Sequence, residues 1–366
     1  MGVKLQELIV RNKIEFSELA GKILAIDAPN VIMSLFNFAR KNPDGSRAGL
    51  ILDRTQRPIS HLYGLLYRIN FYYSKKIFPI FCFDGLDSEL KKLITKDRLN
   101  DFIFTQNWYR SMISSGNRES AKGIAMSREY LWPNIINESK QLLGALGIPC
   151  ISSPASAESQ CTQLAKDKVA HYSNSQDFDS LLFGCPHQIQ NFSKSLRRKV
   201  QGRWNYQKVV PVVIDLKENL KRLGIDQFQL VDIGILIGND YFPGIRKIGP
   251  KHAYKFVRKH KDLENIIYHE KKNYDFSSLT QELIAKVRKI FLLPDVLTQY
   301  PSLNWNFPNE QQTLSLLCEE HYLNRDRVQK NLAKLLANFD KCRDYFKKQK
   351  TKPRAVQKTL DQPFRC

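Results

Sequence analysis

The sequence predicts an α/β fold with a parallel-rich central sheet flanked by helices, and three observations carry that prediction. Ile23-Leu24-Ala25-Ile26 is a short apolar run that stops at Asp27. Ile77-Phe78-Pro79-Ile80-Phe81-Cys82-Phe83 does the same before Asp84-Gly85. Between them, residues 59–73 carry Leu62, Leu65, Leu66, Ile69 and Tyr72 at helical spacing. Strand, helix, strand in that order requires a crossover, so the two strands lie parallel in one sheet. Ligands of such sheets gather outside the carboxyl ends of the strands, where Asp27 and Asp84 fall.

Residues 98–135 break this rhythm with Phe102, Phe104, Trp108, Tyr109, several Arg and Lys, and the run Ser114-Ser115-Gly116-Asn117. Either they form an excursion offering aromatic and basic side chains to single-stranded nucleic acid, or a helical hairpin that uses the aromatics as core. The α/β pattern resumes with a helix over 133–145 and the strand Ile148-Pro149-Cys150-Ile151. In Pro154-Ala155-Ser156-Ala157-Glu158, Ser156 is a helix N-cap. Glu158 then sits in a first turn that favours a carboxylate even without a metal. Beyond residue 200 the chain reads as mostly helical, and from about Phe346 as a basic tail without structure.

Composition points to the partner. The 366 residues hold 57 Lys+Arg against 36 Asp+Glu, a formal net charge of +21. Such an excess favours a polyanion through counterion release. Against that basic body stand Asp177 and Asp179 in Ser175-Gln176-Asp177-Phe178-Asp179-Ser180, together with Asp27, Asp84, Glu158 and Asp240. Carboxylates sharing one cleft repel one another unless cations neutralise them, and oxygen-only ligands suit Mg²⁺ or Mn²⁺. The seven cysteines are scattered with no C-x-x-C, which argues against zinc and a disulfide framework and for a reducing compartment. No apolar run has membrane-span length, and Gln6 breaks a myristoylation motif. The expectation is a monomer inside the cell, with no membrane.

Ile235-Leu236-Ile237-Gly238-Asn239-Asp240 ends a helix, and Gly244-Ile245-Arg246-Lys247-Ile248-Gly249-Pro250-Lys251 forms a tight turn into the next. Gly249 before Pro250 is a good helix opening. Backbone N–H groups there, beside Arg246, Lys247 and Lys251, suit a duplex phosphate. The turn resembles the helix-hairpin-helix type.

Taken together, these motifs resemble those of the flap endonucleases, members of the structure-specific 5′ nuclease (XPG/Rad2-like) family. The resemblance is carried by Ala25-Ile26-Asp27-Ala28, by Ser60-His61-Leu62 with Gly64-Leu65 and Tyr67-Arg68, by Phe83-Asp84-Gly85, by the run from Ser175 to Gly184, and by Gly238-Asn239-Asp240-Tyr241. It implies a phosphodiesterase with two Mg²⁺ (or Mn²⁺), one around Asp27, Asp84 and Glu158, the other around Asp177, Asp179 and Asp240. Ions roughly 4 Å apart would activate the attacking water and stabilise the leaving oxygen. Lys91 and Arg98 match the family's catalytic basic pair at the foot of a helical arch. Arg40 matches an arginine near the substrate junction, and Arg68, Gly238 and Gly244 join Arg246, Lys247, Gly249 and Lys251 as DNA-binding candidates. The turn at 244–251 would also hold K⁺ through backbone carbonyls.

The implied organisation is a nuclease region over 1–100, an arch over 101–135, an internal nuclease region over 136–260, a helical part over 261–345 and the tail over 346–366. The implied activity is 5′ flap endonuclease with 5′–3′ exonuclease, in DNA replication and repair; the alternative is a catalytically weakened flap-junction and clamp binder. In the tail, Gln357, Leu360 and Phe364 resemble the peptide by which the family docks on the sliding clamp, with Pro363 in place of its first aromatic. Two departures stand out: Ser156 replaces the first glutamate of the family's Pro-x-Glu-x-Glu, and Met33 its stacking tyrosine.

Overall fold

The computed structural model describes residues 2–36, 51–54, 57–85, 108, 111–112, 114–115, 128–192, 196–200, 203–207 and 210–351. The strands are β1 (Asn12–Lys13), β2 (Ile23–Asp27), β3 (Phe78–Phe83), β4 (Cys150–Ser152), β5 (Tyr172–Asn174), β6 (His187–Gln190), β7 (Leu196–Val200), β8 (Arg203–Gln207) and β9 (Val212–Asp215). Among the described residues, seven of them make one sheet in the order β1-β9-β6-β5-β2-β3-β4, with β7 and β8 a separate antiparallel pair. From β6 across to β4 every pairing is parallel, and β9 and β1 close one edge antiparallel. The parallel-rich α/β expectation therefore holds. The reading beyond residue 200 omitted β8 and β9, which precede the helices.

Period-two alternation assigns each strand's two faces. Leu24 and Ile26 of β2, with Phe78, Phe81 and Phe83 of β3, join the larger core. Ala25, Ile80 and Cys82 face the other way, into a smaller core. Each fully buried Leu, Ile or Phe among them contributes roughly 1.5–3 kcal/mol.

The helices are α1 (Ala28–Phe36), α2 (Ser60–Ser74), α3 (Arg128–Ala145), α4 (Ala157–Lys166), α5 (Asp179–Leu182), α6 (Leu216–Leu223), α7 (Gln227–Ile237), α8 (Pro250–His260), α9 (Leu263–Glu270), α10 (Gln281–Leu292), α11 (Glu310–Leu314) and α12 (Arg325–Thr351), with a π-helical turn at Ser315–Glu320. The expected apolar spacing of α2 buries Leu62, Leu65, Leu66, Ile69 and Tyr72. Helix α12 runs parallel beside it: Asn331 Nδ2 donates to Tyr67 Oη at 3.1 Å and Asn338 Nδ2 to Asn70 Oδ1 at 2.7 Å. It continues past the expected start of the tail because Phe346 packs on Phe78 at 4.4 Å between ring centroids. A third core gathers the segment from Val3 to Ile9 with α5 to α10. Among the described residues no helix is long and apolar enough to cross a membrane.

Candidate active site

Strand order creates the site. The chain leaves β2 toward β3 and β4 on one side and returns to β5 and β6 on the other. The connections part between β2 and β5, and such switch points leave a crevice at the carboxyl edge. Asp27 ends β2 there. Its Oδ1 accepts from the Asn30 backbone N–H at 3.2 Å and its Oδ2 from the Ser175 hydroxyl at 2.8 Å. Asp84 follows β3, and its Oδ1 accepts from the backbone N–H of Ala157 at 2.8 Å, a donor that the first turn of α4 leaves unpaired. Gly85 allows that approach, since a Cβ there would lie 1.7 Å from the Ser153 carbonyl oxygen.

Glu158 lies in the first turn of α4, where its Oε1 also meets Ser175 Oγ, at 3.1 Å. Asp177 Oδ2 accepts from Asn30 Nδ2 at 3.1 Å. Asp179 opens α5, is buried, and accepts from the Val3 backbone N–H at 3.0 Å. Gln188 of β6 donates to the carbonyls of Ser175 (3.0 Å) and Asp177 (2.6 Å), bracing the loop that presents both aspartates.

These acids interact strongly. Burial, then the charge of Asp84, pushes Asp27 up to about 7. Burial also takes Asp179 to about 7, with Asp240 and Asp177 adding to the rise. Glu158 is raised well above the carboxylate range by burial and by Asp179, Asp27, Asp177 and Asp240, and burial also raises Asp177. The structure thus brings all six predicted acids to one edge. Among the described residues no three acid, His or Cys side chains close on a common point tightly enough to hold an ion directly. An oxygen-only set of mutually repelling, partly desolvated carboxylates fits a hydrated divalent cation, which keeps several waters between itself and the protein.

Ser156, the departure from the family pattern, is buried and caps α4, its Oγ accepting from the Ser159 backbone N–H at 3.1 Å. Met33 is half-buried against the larger core. Three contributors escaped sequence reasoning: Ser175, Asn30 and Gly2. A Cβ on Gly2 would fall 2.7 Å from both Asp177 Cβ and Asp179 Oδ2. Ser175 stood inside a quoted motif, but its partners, like those of Gly2, lie far away in the chain.

The predicted turn forms as a compact unit. Gly238 ends α7 at φ 94°, Gly244 lies at φ 86°, and an added Cβ on Gly244 would sit 2.5 Å from the Gly238 nitrogen. Asn239 Oδ1 accepts from the backbone N–H groups of Tyr241 (2.9 Å) and Phe242 (3.2 Å). Pro250 opens α8 behind the Gly249 cap, as expected, although Gly249 has open space around it. Arg246 and Lys247 are exposed, Lys247 at φ 70°. Lys251 reaches Glu7 at 3.7 Å. The Arg68 guanidinium donates to the Phe192 carbonyl, tying α2 to the segment just past β6. Arg40, Lys91, Arg98, Gln357, Leu360 and Phe364 lie outside the described residues.

Acids massed at a strand-end crevice, on a body of net charge +21, define a hydrolase for a polyanion. Two regional family models match the chain: the XPG N-terminal domain over residues 1–100 and the XPG I-region over 147–240. Flap endonuclease 1 of Aeropyrum pernix is 36% identical over 340 residues, covering 92% of this chain and 94% of its own. The solved flap endonuclease-1 from Methanococcus jannaschii aligns with a TM-score of 0.69 at 26% identity, over 93% of this chain and 99% of that one. The catalytic core of Rad2 in complex with DNA substrate shares the fold, with a TM-score of 0.62 at 20% identity over 91% and 100% of the two chains. The chain belongs to the XPG family and, within it, to the flap endonucleases, hydrolases that act on DNA.

Proposed function

We propose that this flap endonuclease hydrolyses phosphodiesters where a 5′ single strand leaves duplex DNA, using two divalent cations, Mg²⁺ or Mn²⁺. Asp27, Asp84 and Glu158 would hold one, and Asp177, Asp179 and Asp240 the other. When bound, the cations supply an activated water and charge neutralisation at the leaving oxygen. The protein's own part is positional. Ser175, Asn30 and the Val3 backbone N–H orient the carboxylates, and the turn at 244–251 grips downstream duplex through backbone N–H groups, Arg246 and Lys247. The same turn would take K⁺ on its carbonyls. Lys91 and Arg98 would steer the scissile phosphate, Arg40 would approach the junction, and Gln357, Leu360 and Phe364 would engage a sliding clamp. The role is in replication and repair, with 5′–3′ exonuclease activity on the same site.

The observation that carries this reading is the crowding of acids whose burial and mutual repulsion lift Asp27 and Asp179 to about 7. A pure binder of DNA gains nothing from such a cluster. The test is cleavage of a labelled double-flap DNA in Mg²⁺, beside Asp179→Ala and an EDTA control. Incision at the junction, lost in the variant and in EDTA, is expected. Intact flap binding without cleavage in Mg²⁺ or Mn²⁺ would instead support the second reading, a junction-and-clamp binder. Ser156 motivates that reading, because its hydroxyl caps a helix and brings no charge.

A further inference from the structure

The hydroxyl of Ser175 stands where three chain segments meet. The residue is fully buried. Its Oγ lies 2.8 Å from Asp27 Oδ2 at the end of β2 and 3.1 Å from Glu158 Oε1 on α4. It also accepts from the Asp177 backbone N–H at 3.3 Å. A serine hydroxyl has one proton to donate, so it cannot satisfy two ionised carboxylates at once. The geometry draws one oxygen of each acid onto a single atom and leaves the second donor for that pair to be supplied from elsewhere.

We propose that Ser175 is a positioning residue: by meeting one oxygen of each, it sets the separation of Asp27 and Glu158 and so presents the pair to the cation they would hold. The inference rests on the two-cation reading above. The backbone that carries the hydroxyl is braced from behind, since the Ser175 carbonyl accepts from the buried Gln188 amide. Hydrogen-bond partners of metal-bound carboxylates typically govern affinity by roughly 10- to 100-fold. Ser175 therefore acts on cation affinity and on turnover, while DNA binding, which the basic surface governs, is left alone.

The test compares full-length wild type with Ser175→Ala, Ser175→Thr and Ser175→Val. Thr keeps the hydroxyl and Val is its isostere without one, so the Thr/Val pair isolates the hydroxyl even where Ala packs poorly. Mn²⁺ binding is followed by electron paramagnetic resonance without DNA, flap DNA affinity is measured in EDTA, and single-turnover cleavage is titrated with Mg²⁺. The expected result is Mn²⁺ affinity lowered about tenfold or more in Ala and Val, substantially restored in Thr, with flap affinity in EDTA within about twofold of wild type. Equal Mn²⁺ affinity in wild type, Thr and Val would overturn the role of Ser175 while leaving the cations in place. Absence of Mn²⁺ binding by wild type would overturn both the two-cation reading and this inference.

Discussion

A single methyl group on Gly2 would press into both Asp177 and Asp179, 2.7 Å from an atom of each. Such closeness forces the segment at 2–3 outward, and with it the Val3 backbone N–H that Asp179 accepts at 3.0 Å. Gly2→Ala is expected to cost about 1–3 kcal/mol of stability and, because small misplacements at a reacting centre are expensive, about 100-fold in single-turnover cleavage. Thermal melts and single-turnover kinetics read the two separately; unchanged cleavage would dismiss the contact. The buried acids also predict how the metal-free protein responds to pH. Asp27 and Asp179 have folded values of about 7 against about 3.9 when unfolded. Between those limits the folded state holds more protons than the unfolded one, so stability falls as pH rises from about 4 to 7. In EDTA the melting temperature should decline across that window, less steeply in Asp27→Asn. Mg²⁺, which favours the ionised acids, should stabilise wild type more at about pH 8 than at about pH 5.

Between elements, Arg288 of α10 is the staple of the third core. It donates to both oxygens of the fully buried Asp232 on α7 at 2.8 Å, to Glu264 on α9 at 2.7 and 3.1 Å, and lies 4.3 Å above the Phe228 ring. Removing Asp232 strands part of a guanidinium whose side chain is 14% exposed. Asp232→Ala should therefore cost roughly 3–5 kcal/mol, whereas Glu264→Ala removes a partner 43% exposed and should cost about 0–1 kcal/mol. Urea unfolding of the two variants measures that contrast. The legibility of elements follows the same division between local and distant causes. β2 and β3 were visible because strands buried on both faces read as continuous apolar runs, with Asp27 ending the first and Asp84 following the second. β5, β6 and β9 were not, being three or four residues long, with β5 and β6 carrying buried polar residues such as Asn174, Gln188 and Gln190. Gln188 and Gln190 are stable inside only because loop carbonyls at Ser175, Gln176 and Asp177 accept from them. The acids of the site were legible one by one, but Ser175 and Asn30 reach partners 148 and 147 residues away. The tie made by Arg68 was hidden for the same reason, its acceptor being a carbonyl 124 residues distant.

Over the whole molecule, a body of net charge +21 carries its acids where the proposed function brings a phosphate, and the two fields oppose each other. Away from the crevice, each Lys or Arg that neutralises a phosphate releases a counterion and steepens the fall of affinity with salt by about 0.9 in the log–log slope. Arg246→Ala and Lys247→Ala should each flatten that slope by about one, uniformly across DNA sequences. Lys251→Ala should do less, because its ammonium already lies 3.7 Å from Glu7. At the crevice the sign reverses. Without cations, the negative charge of the crevice repels DNA, so Asp177→Asn should tighten flap binding in EDTA. With Mg²⁺ the same substitution removes a proposed ligand for the ion and should give binding no tighter than wild type. Fluorescence anisotropy of a labelled flap, titrated across salt with EDTA or Ca²⁺ (to prevent cleavage), distinguishes the fields. If Asp177→Asn weakens binding in EDTA, the acids would have to be contributing to DNA affinity by direct hydrogen bonding. The division into a gripping basic body and a cation-requiring acidic crevice would then be wrong.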